Sequence, residues 1–192
     1  HMKTRLFIAL PLTYGLKKKI AFLEKDLEKE IGFKINWIKL ENLHLTLIFL
    51  GYVSFEDFLK IEEIFKTFPW GKRNLMREFN LKIKKLDFGP PGKESMIWLY
   101  VEKEKRLEDL KKEFEVKLEE FKVDYKREER NFLPHINLCR LKRKRINKEI
   151  KKDLNWNVVF NEIVLYESIL KREGAEYEEK NKIRLISESD MI

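Results

Sequence analysis

The chain has 192 residues, 43% of them hydrophobic and 39% charged, with a formal net charge of +8 at neutral pH. It is long enough to bury a full core, and it lacks any apolar run near the roughly 18–20 residues of a membrane-spanning helix. Its one cysteine, Cys139, excludes an internal disulfide framework and argues against a cysteine zinc site, while the basic balance favours polyanionic partners such as RNA.

His1 before Met2 reads as a cloning remnant. The apolar stretch that follows is too short for a signal peptide and lacks a small-residue cleavage site, so a cytoplasmic location is expected. Residues 4–10 are β-rich and read as a buried strand. Thr13 can cap a helix carrying Leu16, Ile20, Leu23, Leu27 and Ile31 at three- and four-residue spacing, with Gly32 at its C-terminal end. Lys34 to Lys39 is predicted as a short strand with Ile35, Trp37 and Lys39 on one face. Leu43 to Tyr52 is predicted as a strong strand ending at Gly51.

Ser54-Phe55-Glu56-Asp57 resembles a capping box and opens a helix bearing Phe58, Ile61, Ile64, Phe65 and Phe68, which Pro69-Trp70-Gly71 ends. Glu78 to Phe88 alternates through Phe79, Leu81 and Ile83 and then slips. Gly89-Pro90-Pro91-Gly92 is a turn, Met96 to Glu102 a strand, and Leu107, Leu110, Phe114, Leu118 and Phe121 mark a helix. Phe132 to Arg140 is a strand whose Pro134 belongs at a sheet edge or strand start. A short basic helix over about 146–154 and two strands, about 157–170 and 176–186, complete the chain. Strands in adjacent pairs between helices predict an α+β fold with antiparallel sheets. With no Gly/Ser linker or low-complexity tract, residues 1–192 read as a single domain.

Apart from His1, the protein has two histidines, and both stand in the same setting: His44-Leu45-Thr46-Leu47 and His135-Ile136-Asn137-Leu138. In a strand, alternate side chains share a face. His44 with Thr46, and His135 with Asn137, therefore project to one side while the aliphatic residues enter the core. This duplication suits acid–base phosphoryl transfer. One neutral imidazole takes a proton from water and one imidazolium gives a proton to the leaving oxygen. Thr46 and Asn137 would donate hydrogen bonds to phosphoryl oxygens. A metal site fits poorly, because two histidines lack a companion carboxylate or cysteine at ligand spacing, and Glu41 would point to the opposite face of a strand.

Both tetrapeptides resemble the His-x-Thr-x motif of the 2H phosphoesterase superfamily, and within it the RNA 2′,3′-cyclic phosphodiesterases of the 2′-5′ RNA ligase type. Arg5-Leu6-Phe7-Ile8-Ala9, the run Glu41 to Gly51, the run Phe132 to Arg140, and the segments Tyr166-Glu167-Ser168 and Gly174-Ala175-Glu176-Tyr177 extend the resemblance over most of the chain. It implies a two-lobed, pseudo-two-fold α+β fold with one histidine motif per lobe. It implies cofactor-free and metal-free hydrolysis of RNA 2′,3′-cyclic phosphate ends to 2′-phosphates, with the reverse 2′-5′ ligation as a further possibility. By that resemblance His44 is the proton donor and His135 the proton acceptor, Thr46 and Asn137 hold the phosphate, and Arg140 contacts it. The implied partner is RNA with cyclic phosphate ends, tRNA fragments being one source, and a monomer without membrane attachment is expected.

Two features depart from that pattern. Asn137 stands where the family usually has Thr or Ser, so reduced activity is expected. Strict alternation puts Arg140 on the face opposite His135, and it reaches the site only if the strand bulges near Cys139. Lys142-Arg143-Lys144-Arg145 reads as an RNA-backbone contact or a solvated loop. Trp37, Trp70 and Trp98 are stacking candidates for which core packing is the expected role. Two other readings stand beside the first: an RNA-binding module with weakened catalysis, and a 2H phosphodiesterase for a different cyclic or 2′-5′ nucleotide.

Overall fold

The computed structural model describes residues 2–142 and 145–191. Its regular elements are β1 (Lys3–Pro11), α1 (Tyr14–Ile31), β2 (His44–Ser54), α2 (Phe55–Thr67), β3 (Phe79–Gly89), β4 (Met96–Val101), α3 (Lys105–Glu120), β5 (His135–Arg140), β6 (Lys152–Phe160), β7 (Glu162–Lys171) and β8 (Gly174–Arg184). The strands form one antiparallel sheet in the order β6-β3-β4-β5-β2-β1-β7-β8. It divides into two four-stranded lobes that meet between β5 and β2 at a single register pair, Leu45 opposite Ile136.

One sheet face is apolar. Leu6, Ile8 and Leu10 of β1, Leu45 of β2, Ile97 and Leu99 of β4 and Ile136 of β5 have no exposed surface. The helices contribute Leu16, Ile20 and Leu27, then Ile61 and Ile64, then Leu107, Leu110, Phe114 and Leu118, at helical spacing, to the same core. Each such side chain stabilises the fold by about 1.5–3 kcal/mol on burial. Local signals set the helix ends. Thr13 accepts from Leu16 N at 3.4 Å, and Gly32 closes α1 in the left-handed region at φ 84°. Ser54 accepts from Asp57 N at 3.1 Å, but Asp57 does not complete a capping box. Its carboxylate takes the Asp124 N–H at 3.1 Å and pairs with Lys60.

Three expectations are corrected. Residues 34–39 are not a strand: Ile35 N and the Trp37 indole both donate to Glu28 of α1, at 2.7 and 3.2 Å, and Ile38 N reaches a strand, at Leu138 O. Residues 146–154 are not a helix. Ile146 and Ile150 are buried from an irregular segment, and Lys152 already begins β6, whose period-two pattern through Trp156, Val158 and Phe160 pairs with β3. The single strand expected over 157–170 is broken at Asn161. Its first part ends β6 at one edge of the sheet, and its second starts β7 in the other lobe. β2 also continues past Gly51, whose φ of 73° marks a bulge rather than an end.

Candidate active site

The open face of the sheet is organised by two bulged strands. Along β2 the partners on β1 jump from Ile48 to Thr46, leaving Leu47 as the extra residue. Along β5 the partners on β4 jump from Cys139 to Asn137, leaving Leu138 extra. The bulge therefore falls at the fourth residue of both histidine motifs. Two consecutive side chains then enter the core, Leu47 with Ile48 and Leu138 with Cys139, and the alternation restarts one residue late. That phase change turns the sixth residue of each motif, Phe49 and Arg140, toward the site side. The condition for Arg140 to approach the site is met, and it lines a groove with Asn42 and Tyr177.

Flanking the Leu45–Ile136 pair, His44 lies beside Asn137 and Thr46 beside His135, all on the face opposite the core. Both imidazoles are anchored alike. His44 Nδ1 is 2.8 Å from Asn42 O, and His135 Nδ1 is 2.7 Å from Leu133 O. A carbonyl only accepts, so each Nδ1 carries the proton and each Nε2 is the nitrogen available for chemistry. The Thr46 hydroxyl donates to His44 Nε2 at 2.9 Å. Among the described residues His135 Nε2 has no hydrogen bond.

The surroundings of the two rings differ. His44 sits in an aromatic cage, with ring centroids 4.9 Å from Phe7, 5.5 Å from Tyr177 and 6.4 Å from Tyr166. Burial pushes its pKa down to about 4, against the Asn42 hydrogen bond and with a further depression from His135. His135 stacks flat on Trp98, 3.6 Å between centroids and 11° between planes. Burial lowers its pKa as well, opposed by the Leu133 hydrogen bond. Across the next ladder Trp98 lies so close to Gly89 that a Cβ there would fall 2.2 Å from the indole. Tyr100 continues the aromatic row, its hydroxyl donating to Phe88 O at 2.6 Å.

The structure thus brings together four of the five residues expected at the site, His44, Thr46, His135 and Asn137, with Arg140 at the rim. Asn137 Oδ1 is buried without a hydrogen-bond partner among the described residues. Glu41 lies not on a strand but in a one-turn 3-10 segment, Leu40–Asn42, before His44. Among the described residues no group of three or more His, Cys, Asp and Glu could hold a metal ion. That Phe7 packs on His44, and that Trp98 stacks on His135 and abuts Gly89, carried no sequence signal, since these contacts are made across ladders. Trp70 and Trp37 are both partly buried against the core; Trp70 is edge-on to Phe114, and Trp37 also lines the groove beside Arg140. Of the cationic run, Lys142 lines that groove, and Arg143 and Lys144 lie outside the described residues.

The family model of the AKAP7 2′5′ RNA ligase-like domain matches residues 6–183. The chain belongs to the 2H phosphoesterases. This 2H phosphoesterase is 30% identical to an RNA 2′,3′-cyclic phosphodiesterase of Methanocaldococcus jannaschii over 190 residues, 91% of this chain and 96% of the relative. It is 33% identical to one of Thermotoga maritima over 139 residues, covering 72% and 70%. A Thermus thermophilus structure matches its fold at a TM-score of 0.77 and 22% identity, covering 96% and 99% of the two chains. Escherichia coli LigT in apo form matches at 0.74 and 22%, with the same coverage.

Proposed function

We propose that this 2H phosphoesterase hydrolyses RNA 2′,3′-cyclic phosphate ends to 2′-phosphates by two-histidine acid–base catalysis that needs no metal. The observation carrying the reading is the pair of Nδ1-anchored imidazoles on equivalent bulged strands, each presenting Nε2 to the same face. The relatives' names supply the substrate class.

His135 Nε2, without a hydrogen-bond partner among the described residues, takes a proton from water as the water oxygen bonds to phosphorus. The P–O3′ bond breaks, and the O3′ electron pair takes the proton from His44 Nε2, leaving a 2′-phosphate and a 3′ hydroxyl. An imidazolium depressed to about 4 is a strong proton donor. The negative cyclic phosphate, with its leaving oxygen at Nε2, favours that charged form when substrate binds. Thr46 then exchanges its bond to Nε2 for one to a phosphoryl oxygen, and Asn137 offers its amide N–H to another. Arg140 adds positive charge at the rim, and its phase-shifted position supports a phosphate contact.

The test is hydrolysis of an RNA oligonucleotide ending in a 2′,3′-cyclic phosphate, with EDTA present and 2′- and 3′-phosphate products resolved. Turnover to the 2′-phosphate is expected. Folded protein without turnover, or turnover that EDTA abolishes, overturns the reading.

A further inference from the structure

The histidines occupy only the centre of the open face. From Asn42 and Tyr177, both at His44, a groove of about 970 Å³ runs away from the site between the 35–42 segment, the end of β5 and the β7–β8 hairpin. That volume stands at the top of the range for small-ligand sites, about 300–1,000 Å³, and exceeds what a terminal cyclic phosphate requires.

The groove is built rather than incidental. Its wall is tied to the hairpin by the Asn42 amide donating to Ala175 O at 3.2 Å and to β5 by Ile38 N donating to Leu138 O at 2.9 Å. Glu28 holds the Trp37 indole by its N–H at 3.2 Å, which sets the ring as a wall of the groove at no further ordering cost. This use of backbone and side-chain donors is why residues 34–39 are not a strand.

The charges along it are distributed unevenly. Lys171 is neutralised by Glu176. Lys39, Arg140 and Lys142 are exposed, and among the described residues none of them makes an ion pair. Glu41 and Glu173 lie on the same walls, so the groove is a line of separate cations with acidic neighbours rather than a uniform basic patch. An aromatic face beside spaced cations is the chemistry that holds single-stranded nucleic acid, where bases stack and phosphates pair.

We infer that this groove binds the RNA chain on the 5′ side of the terminal nucleotide, with Trp37 stacking a base and Lys39 and Lys142 contacting phosphates. The enzyme therefore selects polynucleotide ends over free nucleoside cyclic phosphates. The inference rests on the proposed reaction for its catalytic consequence, but the binding it asserts is independent of turnover.

The experiment compares wild type with Lys39→Glu and Trp37→Leu, Lys39 being exposed and outside the folding core. kcat/KM is measured on a nucleoside 2′,3′-cyclic phosphate and on a hexaribonucleotide with the same end. Fluorescence anisotropy reads binding of a labelled hexaribonucleotide ending in a 3′-phosphate. Wild type should prefer the hexanucleotide. Each variant should weaken hexanucleotide binding and kcat/KM at least tenfold while mononucleotide kcat/KM stays within twofold. Lys39→Glu should also flatten the salt dependence of binding by about 0.7 in log–log slope, the share of one single-strand phosphate contact. Tight binding that both variants leave unchanged, or equal losses on both substrates, overturns the inference even if the cyclic phosphate is hydrolysed. Loss of binding in the variants of a protein that hydrolyses neither substrate would support the groove and sink the catalytic reading instead.

Discussion

Gly89→Ala tests whether the aromatic row beside His135 acts as a mechanical link. The added Cβ would lie 2.2, 2.4 and 2.7 Å from Cδ2, Cγ and Cε2 of Trp98. Carbons rest about 3.5–4.0 Å apart, so the indole must retreat by about 1.3 Å. β4 lies between β3 and β5, and Trp98 therefore bears on Gly89 across one ladder and on His135 across the other. With 3.6 Å between the stacked rings there is no slack, and the imidazole moves with the indole. A misplacement of about 1 Å can cost about 10²-fold in rate. Overpacking should cost about 1–3 kcal/mol in stability. The expected outcome is a kcat for cyclic phosphate hydrolysis reduced about 100-fold at a temperature where the variant is fully folded by circular dichroism. In a Trp98→Leu background the same substitution should add little, because the transmitting ring is gone. A single variant with kcat within threefold of wild type and a lowered melting temperature would falsify the link: strain would then be absorbed without reaching His135.

The remaining expectations concern the histidines and one buried acid. His44→Ala and His135→Ala should each reduce kcat by about 10²–10⁴-fold, measured with folded protein, and a variant retaining near-native rates would remove that residue from the mechanism. Both imidazole pKa values lie below the usual histidine value, and the proposed mechanism needs one proton on the pair. Above both values the singly protonated fraction falls tenfold per pH unit, so kcat/KM should fall as pH rises from 7 to 8.5; a flat profile there contradicts the assignment. Glu24 is buried, lies beside Glu28, and has its pKa raised from 4.5 to about 8 by burial first and Glu28 second. It stays protonated in the fold while the unfolded chain ionises, so stability should fall as pH rises from about 4.5 to about 8 and then level off. Glu24→Gln should flatten this window and raise the melting temperature at pH 8 by several degrees, since about 1 kcal/mol corresponds to about 2–4 °C. An unchanged pH profile of the melting temperature would show that Glu24 is not the group responsible.

The helices were legible because their signals are local: the Thr13 cap, the Gly32 end and a stripe repeating every three or four residues. The two histidine motifs were legible because both copies share one short pattern. What strict alternation hides is an inserted residue. The doublets Leu47-Ile48 and Leu138-Cys139 are the visible trace of the bulges, as is the slip after Ile83, where β3 loses register with both neighbours. Residues 34–39 and 146–154 misled for opposite reasons. The first alternates like a strand but spends its donors on Glu28, and the second carries isoleucines at helical spacing but is claimed by the edge of β3. The Trp98 stack could not be read at all, because Gly89, Trp98 and His135 meet only through pairing across three strands.

The seam between β2 and β5 has a mechanical consequence. Each histidine is rigidly tied to its own four-stranded unit, yet a single ladder pair joins the units. The spacing of the two imidazole Nε2 atoms is therefore governed by how two stiff plates dock, not by the stiffness of either plate. Substitutions in the apolar layer beneath Leu45 and Ile136 should register first as altered turnover, and only later as lost stability.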